Sequence, residues 1–260
     1  MLEKFAAAKA AEIADLKARE REGRLPPVWV GERPPFAPAL EGRKPLAVIA
    51  EYKRASPSKG VICLELSAAD VAAQFVEAGA AALSVLTEET HFQGSLDYLA
   101  QARAAAPGAP LLRKDFLLHP LQVRATAATP ASALLLIARM LDEDLLAEML
   151  DLAGALGLAA VVEVFDEADL KKARAVGAGI IQVNNRDLDT LAVDLAVSRR
   201  LALRRRPGEI WIRASGVDRG AQLRELAGLG FDAVLVGASL MAGGRPGQAL
   251  ATLLSEAVDD

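Results

Sequence analysis

Histidine and cysteine are nearly absent from this chain. Its 260 residues include two His and one Cys. A single cysteine forms no internal disulfide and excludes multi-cysteine zinc and iron–sulfur sites. Cys63 reads as a small buried hydrophobe, compatible with a reducing cytosol. His91 and His119 leave little room for a histidine-built metal site, and both read as loop residues. Aromatic residues are also scarce, at 4%. No apolar run is long enough for a membrane helix. The longest strongly apolar uncharged stretch, Ala125 to Ala138, falls short of the roughly 18 residues needed to span a bilayer, and Thr129-Pro130 interrupts it. The first residues carry charges throughout and have no apolar h-region, which reads against a signal peptide. Positive charge is not in excess. Lys and Arg number 30 against 34 Asp and Glu, for a net −4, which argues against general nucleic-acid binding. The run Arg204-Arg205-Arg206 reads as the solvated end of a helix.

What is abundant is apolar side chain, at 52% of residues. That excludes a disordered chain and indicates a globular one. The length fits one large α/β domain or two ordinary ones. Residues 1–23 read as a polar amphipathic helix with Leu2, Phe5, Ile13 and Leu16 near one face and Gly23 as its stop. Pro26, Pro27, Pro34, Pro35 and Pro38 then read as an extended connection rather than a packed element. From Leu46 a repeated unit begins. Short runs rich in Val, Ile and Leu alternate with longer segments of helical period. The runs are Leu46–Ala50, Leu83–Leu86, Leu111–Leu112, Ala133–Ile137, Ala160–Val164, Ile180–Val183, Ile210–Ile212 and Ala233–Val236. Most are apolar throughout, as parallel strands covered on both faces must be. Ser67 with Asp70, and Asp166 with Asp169, form capping pairs, while Gly79 and Gly177 stop the helices they open. Eight strands with helices between them, and a last helix at Gly247–Val258, predict a (β/α)8 barrel, with a doubly wound sheet as the alternative. The expected division is 1–45 as a helical and proline-rich extension packing on the barrel, and 46–260 as the barrel, one domain overall.

In such a barrel the chemistry sits where strands run into the following loops. The polar residues there are Glu51, Lys53, Ser56 and Ser58; Thr87, Glu88 and Glu89, then Phe92; Arg113, Lys114 and Asp115; Arg139; Glu163; Asn184, Asn185 and Arg186; Ser215 and Gly216; Gly237 and Ser239. Each has an ordinary reading. Glu51 and Lys53 are two apart on an extended segment, so they face the same way and suit a surface ion pair. Lys114 suits a solvated loop cluster. Glu163 stands inside Val161–Phe165, where a carboxylate must be paired or functional. Ser215-Gly216 and Gly237 suit plain turns, but they also lie after the seventh and eighth strands, where phosphate sites are built from backbone N–H groups.

The segments IAEYKRASPSKG, LSVLTEETHFQGSLDYL, LLRKDF, ALLLIARML, VVEVF, VNNRDLDTL and DAVLVGASLM, in this order, resemble indole-3-glycerol phosphate synthase of tryptophan biosynthesis. The likeness extends to Lys4, Phe5, Lys9 and Glu12-Ile13 in the first helix. The resemblance implies a carboxy-lyase that closes 1-(2-carboxyphenylamino)-1-deoxyribulose 5-phosphate to indole-3-glycerol phosphate with loss of carbon dioxide and water. On that resemblance Lys114 is the acid of the first step and Glu163 the general base. Lys53 binds the substrate carboxylate or acts as a second acid. Glu51 and Asn184 position the substrate and hold the lysines. Ser56, Arg186, Ser215, Gly216 and Gly237 fall on the phosphate and polyol side, and Phe92 and Phe116 wall the anthranilate ring. One departure stands out. The family usually reads Glu-Ser-Gly after the seventh strand, and here Ala214-Ser215-Gly216 stands. The alternatives are a phosphate-sugar-binding barrel with weakened or lost catalysis because of Ala214, and a related isomerase such as phosphoribosylanthranilate isomerase. The expectation is a cytoplasmic monomer acting on a small anionic substrate, with no cofactor, metal, nucleic acid or membrane.

Overall fold

The computed structural model describes residues 2–258. Eight parallel strands close into one barrel: β1 (Ala47–Tyr52), β2 (Ala82–Leu86), β3 (Leu111–Lys114), β4 (Ala133–Ile137), β5 (Ala159–Val164), β6 (Ile180–Asn184), β7 (Ile210–Ala214) and β8 (Ala233–Val236). The ring closes where Ala47 pairs with Ala233. Helix α1 (Leu2–Arg21) and the short α2 (Phe36–Leu40) precede β1. Around the barrel run α3 (Ala68–Glu77), α4 (Glu89–Phe92), α5 (Asp97–Ala105), α6 (Pro120–Ala127), α7 (Glu143–Ala155), α8 (Glu167–Ala175), α9 (Ala196–Ala202), α10 (Gly220–Gly228), α11 (Ala238–Met241) and α12 (Pro246–Ser255). The fold is the (β/α)8 barrel expected from the sequence, not the doubly wound sheet.

The alternation of side chains along each strand divides the core in two. Val48, Ala50, Val85, Leu111, Leu134, Leu136, Val162 and Val234 face out and pack under the helices. Ala47, Ile49, Ala82, Leu112, Leu135, Val161, Ile180, Ile212 and Leu235 fill the interior. The predicted caps form. Ser67 Oγ accepts the N–H of Asp70 at 3.1 Å, and Asp166 Oδ1 that of Asp169 at 2.9 Å. Gly79 (φ 99°) and Gly177 (φ 78°) end the helices after them in the left-handed conformation.

The proline-rich connection departs from expectation. Phe36–Leu40 is helical, and Phe36 and Leu40 are buried in the interior cluster beside Ala47, Ala82 and Ala233. This segment therefore plugs one end of the barrel. Proline does not forbid the helix, because Pro35 and Pro38 fall at its start, where backbone N–H groups have no helical acceptor anyway. A two-residue hairpin, Ala55–Ser56 with Gly60–Val61, also forms in the loop after β1.

On β7, Glu209 just before the strand accepts from Arg174 Nε at 2.6 Å, the Trp211 indole at 2.8 Å and the N–H of Arg206 at 2.9 Å. Burial works to raise its carboxyl pKa, but these donors and the Arg174 charge outweigh burial and push it down to about 2. A depressed folded-state value means stability that is present above the ordinary value of 4.5 and lost as pH falls toward about 2. The Glu209→Gln variant is expected to show a flatter dependence of Tm on pH across that acid window, measured by thermal melts.

Candidate active site

The barrel mouth holds a cavity of about 240 Å3. Every residue singled out above for a site role lines it: Lys114, Glu163, Lys53, Glu51, Asn184, Ser56, Arg186, Ser215, Gly216, Gly237, Phe92 and Phe116. The strand alternation explains the convergence. Glu51, Lys114, Glu163, Asn184 and Ala214 continue the inward-facing series of their strands, one layer above the apolar filling.

Two cation–carboxylate pairs occupy the floor. Lys53 Nζ lies 2.5 Å from Glu51 Oε1, with the lysine side chain 16% exposed and the glutamate 3%. Ser84 Oγ stands 3.5 Å from Glu51 Oε2 on the neighbouring strand. Lys114 Nζ lies 3.8 Å from Glu163 Oε2. The Gln182 amide, one layer below, donates to the same Oε2 and fixes the carboxylate. Glu163 is thus paired, and it lines the cavity.

The loops after β6 and β7 form the opposite wall. Asn184 Oδ1 accepts from Ser215 Oγ at 2.8 Å and from the N–H of Arg186 at 3.0 Å. Arg186 donates to the Leu191 carbonyl at 2.8 Å, and burial lowers its pKa against the opposing pull of Glu51. Asn185 does not line the cavity. Its side chain accepts from Ser198 and leans on the carbonyl of Ala214, which braces the β7 loop from behind. Ser215 and Gly216 are consecutive left-handed residues (φ 69° and 78°), which turn the chain sharply after β7. Gly237 has no room for a side chain. A Cβ there would collide with Glu51 Oε1 and stand 2.9 Å from the Glu51 Cβ. Gly237→Ala is expected to displace Glu51 from Lys53 and to lower kcat/KM by about 10²-fold, since an ångström of misplacement in an active site costs that much. Steady-state kinetics measures it.

The aromatic wall contains a residue the strand-end survey passed over. Phe5 of α1 stacks on Phe116 at 4.2 Å between centroids, with Phe92 at 6.2 Å and His91 edge-on at 5.1 Å. Its apolar position in the first helix marked it for burial, but nothing in the sequence spacing places that helix over the mouth. Asp115 lines the cavity too, in a buried cluster with Lys9, Glu12 and Arg113.

Several strand-end residues do other work. Glu88 caps α4, accepting from the N–H groups of Thr90, His91 and Phe92. His91 therefore lies in a short helix rather than a loop, and His119 caps α6 by accepting the N–H of Leu121 at 3.1 Å. Arg139 turns away from the mouth. It pairs with Asp169 at 2.8 Å and Asp166 at 3.0 Å, and lies over the Phe165 ring at 4.1 Å. Tyr52 likewise faces outward, donating to the Leu66 carbonyl at 3.1 Å. Among the described residues no group of three or more His, Cys, Asp or Glu is placed to hold a metal ion, and no helix is long and apolar enough to cross a membrane.

A closed (β/α)8 barrel whose mouth gathers two lysine–glutamate pairs around a cavity has the architecture of a barrel enzyme. The sequence matches the family model "Indole-3-glycerol phosphate synthase" over residues 2–253, and the chain belongs to that family. Indole-3-glycerol phosphate synthase of Salinibacter ruber is 44% identical over 227 residues, 86% of this chain and 84% of that one. The synthase of Desulfotalea psychrophila is 40% identical over 259 residues, covering 97% and 98%. Among solved structures, 3-hexulose-6-phosphate synthase from Salmonella typhimurium superposes with a TM-score of 0.63 at 14% identity, covering 81% of this chain and 99% of that one. That likeness is of fold alone.

Proposed function

We propose that this mouth converts 1-(2-carboxyphenylamino)-1-deoxyribulose 5-phosphate to indole-3-glycerol phosphate, with the roles divided as follows. The ring carbon bearing the carboxylate attacks the ketone carbon, and Lys114 donates a proton to the ketone oxygen as it becomes a hydroxyl. Carbon dioxide leaves, and its bonding electrons restore the ring. The hydroxyl then departs as water with a proton from an acid, and Glu163 takes the proton that completes the indole. Lys114 Nζ and Glu163 Oε2, 3.8 Å apart, face each other as an ion pair without a direct hydrogen bond, so each remains available to the substrate. Lys53, held by Glu51, meets the substrate carboxylate and stands ready as the second acid. The anthranilate ring lies against Phe5, Phe92 and Phe116. Asn184, Arg186, Ser56, Ser215, Gly216 and Gly237 take the polyol and phosphate. In this reading residues 1–45 are an extension that completes the mouth of a single barrel domain.

The observation that carries the reading is the Lys114–Glu163 pair at 3.8 Å in a cavity whose far wall is the left-handed Ser215-Gly216 turn. Ala214 contributes only a methyl group there, so a carboxylate is not available from that position. Mixing the purified protein with the substrate is expected to produce indole fluorescence at a steady rate. Substrate binding without any indole signal would overturn the catalytic reading and favour a binding barrel.

A further inference from the structure

Arg213 sits on the outward face of β7, between Ser198 of α9 and Leu226 of α10, and is 3% exposed. A buried guanidinium is costly unless something answers its charge. Glu225, the carboxylate whose field reaches it, is engaged by Arg199 at 2.6 Å. Arg213 forms no ion pair among the described residues, and its Nε has no hydrogen-bond partner. Its one side-chain hydrogen bond among the described residues runs from Nη2 to the Gly216 carbonyl at 3.3 Å. Gln222 Nε2 donates to the same oxygen at 3.0 Å.

That carbonyl belongs to the loop at the mouth. The Gly216–Val217 peptide is trans, so its C=O and N–H point in opposite directions. Drawing the Gly216 carbonyl outward toward Arg213 and Gln222 turns the Val217 N–H inward, toward the cavity that Val217 lines. Among the described residues, no acceptor is within hydrogen-bond reach of the Gly216 or the Val217 N–H. Among the described residues, a buried cation with no ion-pair partner thus lies directly behind a loop whose two amides have no acceptor.

We propose that Arg213 is a positioning residue for the substrate phosphate. It holds the Gly216 carbonyl outward so that the loop amides face the cavity, and the phosphate dianion across the loop is its counter-ion. The inference rests on the reading of this mouth as the site of a phosphorylated substrate.

Arg213→Met removes the charge and the donor while keeping an unbranched side chain. It is expected to raise KM, and the inhibition constant of inorganic phosphate, by about tenfold, the worth of a charge-assisted contact, with kcat within about threefold. Its Tm without phosphate is expected to hold or rise, because an apolar side chain replaces an unpaired buried cation. Its gain in Tm on adding inorganic phosphate is expected to shrink. Arg213→Gln, which keeps a donor but loses the charge, is read the same way if the methionine variant does not fold. Unchanged phosphate affinity in either folded variant, or a lower Tm with unchanged KM, overturns the proposal. If wild-type protein binds phosphate in an Arg213-dependent way yet makes no indole product, the loop assignment stands and the catalytic reading falls.

Discussion

Replacing Lys114 by methionine is expected to lower kcat by about 10²–10⁴-fold, the usual contribution of a positioned proton donor. The side chain ends β3 and keeps its ammonium 3.8 Å from Glu163 Oε2, with 18% of its surface exposed. Methionine retains the apolar stem and removes only the charge and its protons. Glu163, 1% exposed, keeps the Gln182 donor but loses its cation, so Tm is expected to fall by several degrees, while kinetics on the folded protein isolate the chemical step. The loss of rate falls on that step, and indole fluorescence under saturating substrate reads it directly. On the proposed roles, Glu163→Gln is expected to lose activity in the same range, because an amide cannot accept a proton as the carboxylate would even though it still fits beside Gln182. A Lys114→Met enzyme within about threefold of wild type would remove Lys114 as the first acid and leave Lys53 in that role. The pairing of Lys53 with Glu51 makes this contrast informative. Its ammonium is already bound to a carboxylate at 2.5 Å, whereas Lys114 has the looser contact and is freer to meet a ketone oxygen.

The barrel was legible because its strands are apolar on both faces, as only a parallel sheet covered by helices requires, and because eight such runs in regular alternation with capped helices match the barrel's inventory better than that of a doubly wound sheet. The strand ends were less so. β1, β3, β6 and β7 run on to Tyr52, Lys114, Asn184 and Ala214, beyond where the apolar runs stop, since the ladder continues as long as partners exist. That continuation is what aims Glu51, Lys114 and Asn184 inward. Period-two parity also explains the misplaced candidate. Arg139 follows β4 in a short 3-10 turn, so strand alternation no longer governs its direction, and Asp166 and Asp169 draw it onto α8. Phe5, Lys9 and the α2 plug depend on how residues 2–40 wrap the barrel. Those are long-range contacts that local periodicity does not encode. Lys9 in particular, a charged residue on a largely polar helix, is 5% exposed. Its partners are Glu12, one turn along, and Asp115, more than a hundred positions away.

That buried cluster carries the largest stability effect expected in the molecule. Asp115 accepts from Arg113 at 2.8 Å, from Thr87 Oγ1 at 2.7 Å, from the N–H of Phe116 at 2.8 Å and from Lys9 Nζ at 2.9 Å. Glu12 completes the set against Arg113 at 3.1 Å. The cluster holds two cations and two carboxylates, so it is neutral as it stands. Asp115→Ala leaves Lys9 and Arg113 buried with one carboxylate between them and strips an acceptor from the Phe116 amide. Breaking one member of a buried charge set costs about 3–5 kcal/mol, which for a chain of this size lowers Tm by on the order of 10 °C. Activity is expected to fall with it, because the same carboxylate ties α1, and hence Phe5, to the strand that bears Lys114. The pH dependence follows the same logic. Burial alone would raise the Asp115 pKa, but the charges of Arg113 and Lys9 and the Thr87 hydroxyl override it, and the net shift is downward. A carboxyl so depressed contributes its stability at neutral pH and loses it only in acid strong enough to protonate it in place. Thermal melts of wild type and Asp115→Ala are therefore expected to lie furthest apart near neutrality and to converge as the pH falls. A constant gap across the acid range would show that Asp115 holds the helix by shape rather than by charge.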